Sequence, residues 1–450
     1  MKVYFLTLGC RVNQYETDAA RRLFLDNGHE NADTPEEADV CIVNTCSVTG
    51  EADRKSSQML RRMAKNNPNA VIVAMGCASE LKTGEVPSDI VIGTREKNTV
   101  VKRVEEFLAS GGKGSLDHKT SHVRPEVSKT DEYHDFGTVL SPEGTRAFIK
   151  IEDGCNNFCT YCIVPYARGR ERSRDFNEIV KELSELASQG YKEVMLLGQN
   201  VNSYKGAGGE TFADILRAAS DFKEFSRVRF MSSHPKDLSD EVIDIMASRP
   251  NVEKHLHLAM QSGSNKVLKA MNRPYTIERF QEIVDKFRAK VEGGSLTTDI
   301  IVGFPGETDE DFEETLVAVD KAKFDACFTF QYSARPGTKA AAYENQVPSD
   351  VVTERFGRLT EYTNRYAEES NKKLVGKTME VLIEGISKAG DMTFSGRTVT
   401  NHLVNFTIPE ELGIDPGEDY LEGRLCEVRI DRARPYSVDG ILVSLKGEEA

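Results

Sequence analysis

The sequence predicts an α/β protein in three parts: an N-terminal doubly wound α/β domain, a central partial β/α barrel, and a small C-terminal β-barrel. Three observations carry this. Residues 1–110 contain short apolar runs, "KVYFLTL", "ADVCIVN", "NAVIVAM" and "DIVIG", separated by polar stretches of helical length. Runs of β-branched and aromatic residues that alternate with helices are the signature of a parallel sheet. Residues 144–371 repeat the alternation six times, in "RAFIKI", "EVMLLG", "VRFMSS", "KHLHLA", "SLTTDIIVG" and "ACFTFQYS". Six such units fit a sheet curled into a full or partial barrel, whose chemistry sits at the carboxyl ends of its strands. Residues 372–446 lose the helical period; "TMEVLIEG", "FSGRTVT", "HLVNFTI" and "LCEVRIDRAR" read as short strands of a small barrel. Between the first two parts, residues 111–143 are rich in glycine, serine and charge and read as a linker.

Bulk properties bound the function. The formal charge is −14, from 58 basic and 72 acidic residues. That argues against nonspecific binding along a polyanion, but screening over about 10 Å leaves room for a local basic site. The opening apolar run is too short for a signal peptide, and nothing approaches the run of about 20 apolar residues that spans a membrane. The expectation is a cytoplasmic protein. Nine cysteines in a reducing compartment point to metal ligation or catalysis rather than disulfides.

Three of those cysteines, Cys155, Cys159 and Cys162, crowd into "GCNNFCTYC" directly after the first barrel strand. A closed zinc site needs four ligands. Three thiolates from one loop instead suit a 4Fe-4S cluster with one open iron, able to chelate the amino and carboxylate groups of S-adenosylmethionine. Tyr161 can pack against the adenine. A zinc knuckle completed by a remote histidine is the alternative. Three further cysteines, Cys10, Cys46 and Cys77, each lie just past a predicted N-terminal strand, so a parallel sheet would bring them to one edge. They suggest a second cluster with an open iron; the alternative is small residues that merely pack well at strand ends. Cys41, Cys327 and Cys426 fall within strands and read as buried apolar residues.

The "CNNFCTYC" loop after a barrel strand resembles the radical-SAM superfamily. "TLGCRVNQYETD", "NTCSVTGEADRKS", "MGCASE", "KIEDGCNNFCTYCIVPYARGRERSR", "LLGQNVNSY", "HLHLAMQSGSNKVLKAMNRPYT" and "DIIVGFPGETDEDFEETL" together resemble its methylthiotransferase family. "SGRTVTNHLVNF" resembles the start of that family's TRAM domain, a small RNA-binding barrel. The resemblance implies two 4Fe-4S clusters, one held by Cys155, Cys159 and Cys162 and an auxiliary one held by Cys10, Cys46 and Cys77. It implies sulfur insertion at a carbon–hydrogen bond with no general base or nucleophilic triad. Gly198, Gln199 and Asn200, with Asp299 and Gly303, are candidates to bind S-adenosylmethionine; ordinary strand-end turns are the competing account.

Members of this family modify a hypermodified adenosine beside the tRNA anticodon, or an aspartate of a ribosomal protein. The amino-terminal motifs look like the threonylcarbamoyladenosine-type enzymes. The barrel motifs "LLGQNVNSY", "SSHPKDLSD" and "MNRPYT" look like the isopentenyladenosine type, and the barrel should form most of the pocket. The reading is therefore methylthiolation at carbon 2 of N6-isopentenyladenosine, with the threonylcarbamoyl substrate and the ribosomal aspartate as alternatives. The implied partners are the tRNA anticodon stem-loop and an electron-donor protein, without a membrane. Arg168, Arg170, Arg172 and Arg174 alternate in "ARGRERSR"; if extended, they share one side and can meet phosphates or the S-adenosylmethionine carboxylate. Arg397, Arg429, Arg432 and Arg434 can grip phosphates from the last barrel; a solvated charged face is the alternative. From another class comes a noncatalytic, metal-bearing RNA-binding protein.

Overall fold

The structure, a computed structural model, describes residues 1–82, 84–112, 121–122, 133, 136–140, 145–387, 393–414 and 420–446. Most of the expected linker, 111–143, lies outside the described residues. Five parallel strands form the N-terminal sheet in the order Glu30–Asn31, Lys2–Thr7, Val40–Thr45, Val71–Gly76, Ile90–Ile92. Helices cover both faces, which is why the two central strands are buried at every position. Ala20 and Phe24 of helix Arg11–Asp26 and Val100, Val101 and Val104 of helix Val100–Ala109 share one core layer. Leu60 and Met63 of helix Gly50–Asn66 fill the other, with Cys41.

All six expected barrel strands form. Arg146–Lys150, Glu193–Leu197 and Arg227–Phe230 pair in parallel, as do His255–His257, Ser295–Val302 and Ala326–Gln331. Parallel bridges from Val228 to Val252 and from Ser233 to Leu258 join the two sets in chain order. Among the described residues the last strand does not pair back to the first, so the barrel is partial. Its outward residues, such as Ile149, Leu196, Leu256 and Ile300, merge with the surrounding helices into one large core. Helix Ser349–Lys372 then leads to a closed five-stranded barrel: Thr378–Ile386, Thr393–Thr398, Leu403–Thr407, Val438–Leu445 and Leu425–Ala433. Strand Val438–Leu445 adds to the four read from the sequence, and Cys426 is buried in this barrel's core.

The three parts are locked together. Val12, Tyr15 and Ala19 of the first helix pack on Phe148, Met195 and Leu197, which project to the inner side of the partial barrel. At the barrel's opposite, amino-terminal mouth, the turn 398–402 of the last domain is held through its backbone. Lys254 N–H donates to Val399 O at 2.8 Å, Ser295 Oγ to Thr400 O at 2.6 Å and Arg229 Nη2 to Thr398 O at 3.1 Å. Arg146 joins the same joint by ion pairs to Glu193 and Glu384.

Gly76 ends its strand at φ +106° and ψ −161°, a conformation essentially confined to glycine, and a Cβ there would meet Thr45 O at 2.7 Å. This turn sets Cys77 as the first residue of helix Cys77–Leu81. Gly76→Ala should lower stability by about 1–3 kcal/mol, seen as a lower urea midpoint by circular dichroism.

Candidate active site and metal centres

Cys10 caps helix Arg11–Asp26, Cys46 follows Thr45 directly, and Cys77 follows Gly76. Their three strands are adjacent in the sheet, so these cysteines share its carboxyl edge. Gly9 lies so close to Cys46 that a Cβ on it would sit 2.6 Å from the sulfur. All three are free thiols. Burial pushes Cys46 up and Cys77 up to about 11, with the Cys10 thiol adding to both.

The second triad follows strand Arg146–Lys150. Its loop has irregular backbone, so its polar groups find partners elsewhere. Thr160 N–H donates to Met271 O at 2.9 Å, Ala340 N–H to Thr160 O at 2.9 Å, and Asn272 Nδ2 to Asn157 O and Phe158 O at 2.9 and 3.1 Å. Gly154, at φ +84°, is required because a Cβ would meet Gly169 O at 2.8 Å. Burial drives the Cys155 and Cys162 thiols up to about 12, and the Cys159 thiol adds to both. Arg273 Nη1 donates to Cys159 Sγ at 3.6 Å, with the rest of its guanidinium fixed by Tyr275 Oη and Ala259 O. Tyr161 packs with Val267, Met271 and Phe304 beside this loop.

The donor sets suit iron–sulfur clusters. Among the described residues no three His, Cys, Asp or Glu side chains stand in the arrangement a single metal ion takes. A zinc knuckle draws its ligands to within about 2.3 Å of one point, whereas a four-iron cube receives each thiolate on a different iron. Thiols that sense one another, with Cys46, Cys77 and Cys159 buried and the last already receiving a guanidinium hydrogen bond, supply such a cradle.

Arg168 links the two triads. It is 2% exposed, and donates from Nη1 to Glu16 Oε1 (2.8 Å) and Asp153 Oδ1 (3.0 Å), and from Nη2 to Asn13 Oδ1 (2.8 Å). Lys150 donates to Glu16 at 3.0 Å and Lys97 ion-pairs with the same carboxylate. Arg168, Lys97 and Lys150 together outweigh the desolvation of Glu16 and hold its carboxyl well below the usual range. The next residue's carbonyl, Gly169 O, accepts the Cys155 N–H, while the Arg168 charge favours the thiolate of Cys77.

This placement corrects the reading of "ARGRERSR" as one extended, phosphate-facing strand. Val164–Arg168 is a short helix, started by Pro165, and only Arg172–Ser173 is extended. Arg168 and Arg174 are buried in ion pairs with Glu16 and Glu182. Arg172 faces Asp153 at 3.5 Å, and Arg170 alone is exposed, over the Phe158 ring. Arg397 is also no free cation: it pairs with Glu384 in the joint between the barrels. Arg429, Arg432 and Arg434 are exposed, the last two converging on Asp439.

The candidate S-adenosylmethionine residues divide. Gln199 Oε1 accepts the Gly154 N–H at 2.6 Å, at the root of the cysteine loop. Asn200 donates from its backbone to Glu152 Oε1 and from its side chain to Asp237, each at 2.7 Å; its own Oδ1 is buried without a partner. Asp299 lies inside the barrel, 3.5 Å from His257. Both glycines serve packing: Glu152 occupies the space of a Gly198 Cβ, and Val352 that of a Gly303 Cβ. Arg273, Glu152 and the Glu16 network were not singled out from sequence, where nothing marks one charged residue as buried.

The Radical SAM superfamily profile matches residues 149–319, that of an uncharacterized protein family, UPF0004, residues 2–93, and the TRAM domain residues 372–443. The radical S-adenosylmethionine methyltransferase TsrM from Kitasatospora setae shares the fold at a TM-score of 0.54 and 15% identity, over 73% of this chain and 72% of that one. The partial barrel and its cysteine loop thus define a radical-SAM enzyme with a TRAM barrel. The tRNA-2-methylthio-N(6)-dimethylallyladenosine synthase of Clostridium perfringens is 41% identical over 97% of this chain and 96% of its own. Those of Acetivibrio thermocellus and Carboxydothermus hydrogenoformans are each 40% identical over 98% of this chain, covering 91% and 99% of theirs. The chain belongs to this family of radical-SAM methylthiotransferases.

Two outcomes follow from the buried charges. Arg168→Met leaves Glu16 and Asp153 matched by Lys97 and Lys150 but removes their shared guanidinium hydrogen bonds, and should cost about 1.5–3 kcal/mol in urea unfolding. Glu152, fully enclosed and near Glu171, has its carboxyl pushed well above the usual range by burial first and that neighbour second. The fold therefore holds a proton that the unfolded chain releases, and stability falls as pH rises above the unfolded value. Glu152→Gln should remove this loss, melting at or above the wild-type temperature at pH 8 with the advantage shrinking toward pH 5.

Proposed function

We propose that the chain methylthiolates carbon 2 of the N6-isopentenyl (dimethylallyl) adenosine beside the tRNA anticodon, with Cys155, Cys159 and Cys162 holding one 4Fe-4S cluster and Cys10, Cys46 and Cys77 an auxiliary one. The observation that carries this reading is the pair of cysteine triads, each at the carboxyl edge of a parallel sheet, with the surroundings of both touched by Arg168. The substrate follows from relatives alike over nearly the full length. When bound, the clusters and S-adenosylmethionine supply the radical and the sulfur.

The chain's own residues hold and shield. Arg273 fixes Cys159 and keeps a positive charge beside it. Gln199 and Asn200 tie the second barrel strand to the root of the cysteine loop, and the unpartnered Asn200 Oδ1 is free to accept a ligand hydrogen bond. The first helix of the N-terminal domain covers Phe148, Met195 and Leu197 and keeps water from the inner side of the barrel. Arg429, Arg432 and Arg434, with the exposed Tyr436, give the TRAM barrel a face that can take phosphates and stack a base. Arg170 extends that function to the mouth of the cysteine loop. An external one-electron donor completes the requirement, and the place of action is the cytoplasm. Among the described residues no helix is long and apolar enough to cross a membrane.

The test joins iron analysis with nucleoside mass spectrometry after anaerobic reconstitution. Wild type should carry about eight irons per chain, two clusters of four, and convert N6-dimethylallyladenosine in tRNA to its 2-methylthio form. Replacing Cys10, Cys46 and Cys77 with alanine should halve the iron and abolish the methylthio nucleoside while S-adenosylmethionine cleavage persists. Replacing Cys155, Cys159 and Cys162 should abolish both. A methylthio product only on threonylcarbamoyladenosine or on a ribosomal aspartate, or none at all, overturns the assignment.

A further inference from the structure

Strand Ala326–Gln331 closes the partial barrel on one side and pairs only with Ser295–Val302 among the described strands. Its register sets Phe328 beside Asp299 and Phe330 beside Ile301, so all four share one side of the sheet. That side is the barrel interior, because Ile300 and Val302, on the other, belong to the core under the helices. The Phe328 ring meets His257 edge-on at 5.8 Å, and Ile301 packs in the cluster that contains Tyr161 and Phe304, beside the cysteine loop. Yet Phe328 is 49% exposed and Phe330 42%.

Aromatic rings left in water on the interior face of the barrel are costly, and such a patch marks a binding surface. The patch runs toward the other triad. Just beyond the strand, the Arg335 guanidinium donates to Ser47 O, next to Cys46, and Gly50 lies against Arg335 and Ser333. The loop so anchored carries Val48, 54% exposed and two residues from Cys46. Apolar side chains thus stand in water both on the strand that leads to this anchor and on the loop it holds, between the parts that carry the two triads.

We propose that Phe328, Phe330 and Val48 form the apolar subsite for the N6-dimethylallyl group of the substrate adenosine and set the enzyme's preference for it. The inference rests on the function proposed above. The dimethylallyl group is a five-carbon hydrocarbon, and each buried carbon contributes about 0.8 kcal/mol. A threonylcarbamoyl group would instead bring a carboxylate against two phenyl rings and lose its hydration without a partner. The same surface thus attracts one substituent and rejects the other.

The test compares anticodon stem-loops that carry N6-dimethylallyladenosine, N6-threonylcarbamoyladenosine or adenosine 3′ to the anticodon, using reconstituted full-length enzyme. Dissociation constants and methylthio product are both measured. Wild type should bind the dimethylallyl RNA at least about tenfold more tightly than the adenosine RNA. F328S/F330S should cut that ratio to about twofold, and Val48→Ser, which alters an exposed side chain and keeps the backbone N–H that faces Cys46, should reduce it by a smaller factor. F328L/F330L should keep most of the preference, since an apolar wall is retained; its loss there would mean that the rings stack on the base instead, and overturns the subsite. An unchanged ratio in F328S/F330S and Val48→Ser also overturns it. If wild type methylthiolates the dimethylallyl RNA but shows no binding preference, the subsite alone falls; if it makes no methylthio product from it, the function falls and the subsite with it.

Discussion

The buried charges around Glu16 constrain everything else in this molecule. Glu16 and Asp153 are enclosed with Lys97, Lys150 and Arg168, two carboxylates against three cations, so the group carries a net positive charge away from water. Such a cluster is no efficient source of stability, because desolvation consumes most of the Coulomb gain. What it imposes is geometry, since any other docking of the two domains would strand a charge. Glu16 and Lys97 come from the N-terminal domain, and Lys150, Asp153 and Arg168 from the barrel. The helix that carries Glu16 starts at Cys10, and the strand that carries Lys150 runs into the loop of Cys155. One joint therefore positions both sets of thiols.

At the other end of the barrel a second joint works differently. The turn 398–402 of the last barrel is gripped mostly through its carbonyls, and Arg146, Glu193, Arg229, Glu253 and Glu384 form an ion-pair chain behind it. Backbone hydrogen bonds demand little of the turn's side chains but fix its position closely. The exposed arginines of the TRAM barrel thus belong to a body held in a set orientation to the barrel, and Arg397 belongs to the joint itself. Phosphate contacts on one domain can then set register for chemistry on another.

What the sequence disclosed follows the range of the physics involved. Parallel strands announce themselves locally, through short β-branched runs, and a cysteine just past each run already implies a shared edge. All six barrel strands and the alignment of Cys10, Cys46 and Cys77 were legible for that reason. The arginines of "ARGRERSR" were misread because a charged run looks solvated unless its partners are known. Glu16, 152 residues before Arg168, and Glu182, eight after Arg174, bury those charges, and only the fold brings them near. Arg273 lies within "HLHLAMQSGSNKVLKAMNRPYT", yet its aim at Cys159 depends on a contact between segments 114 residues apart. Phe328 and Phe330 read as ordinary strand residues; their exposure inside a barrel is visible only in three dimensions.

The thiols and the cations beside them form one electrostatic system. Burial outweighs the nearby cations at Cys77 and Cys162 and acts at Cys155 as well, so all three favour the neutral thiol. Iron binds the thiolate, so loading either triad must release protons, and affinity must rise with pH until the ligands are ionised. The protein moderates this requirement by placing a fixed guanidinium at each site: Arg168 favours the Cys77 thiolate, and Arg273 donates to Cys159. Neither cation loses its charge at any physiological pH. Each would stand beside a bound cluster, where a fixed cation offsets the negative charge of the thiolates and, with burial and hydrogen bonds, bears on how readily the cluster accepts an electron. The two sites differ in this respect. Arg273 hydrogen-bonds a sulfur directly, whereas Arg168 acts through space while its donors are spent on Glu16, Asp153 and Asn13. Direct donation to a sulfur favours the reduced cluster more strongly than a shared, already paired charge. On the function proposed above, that difference would suit the triad held by the barrel loop to the cluster that receives the electron.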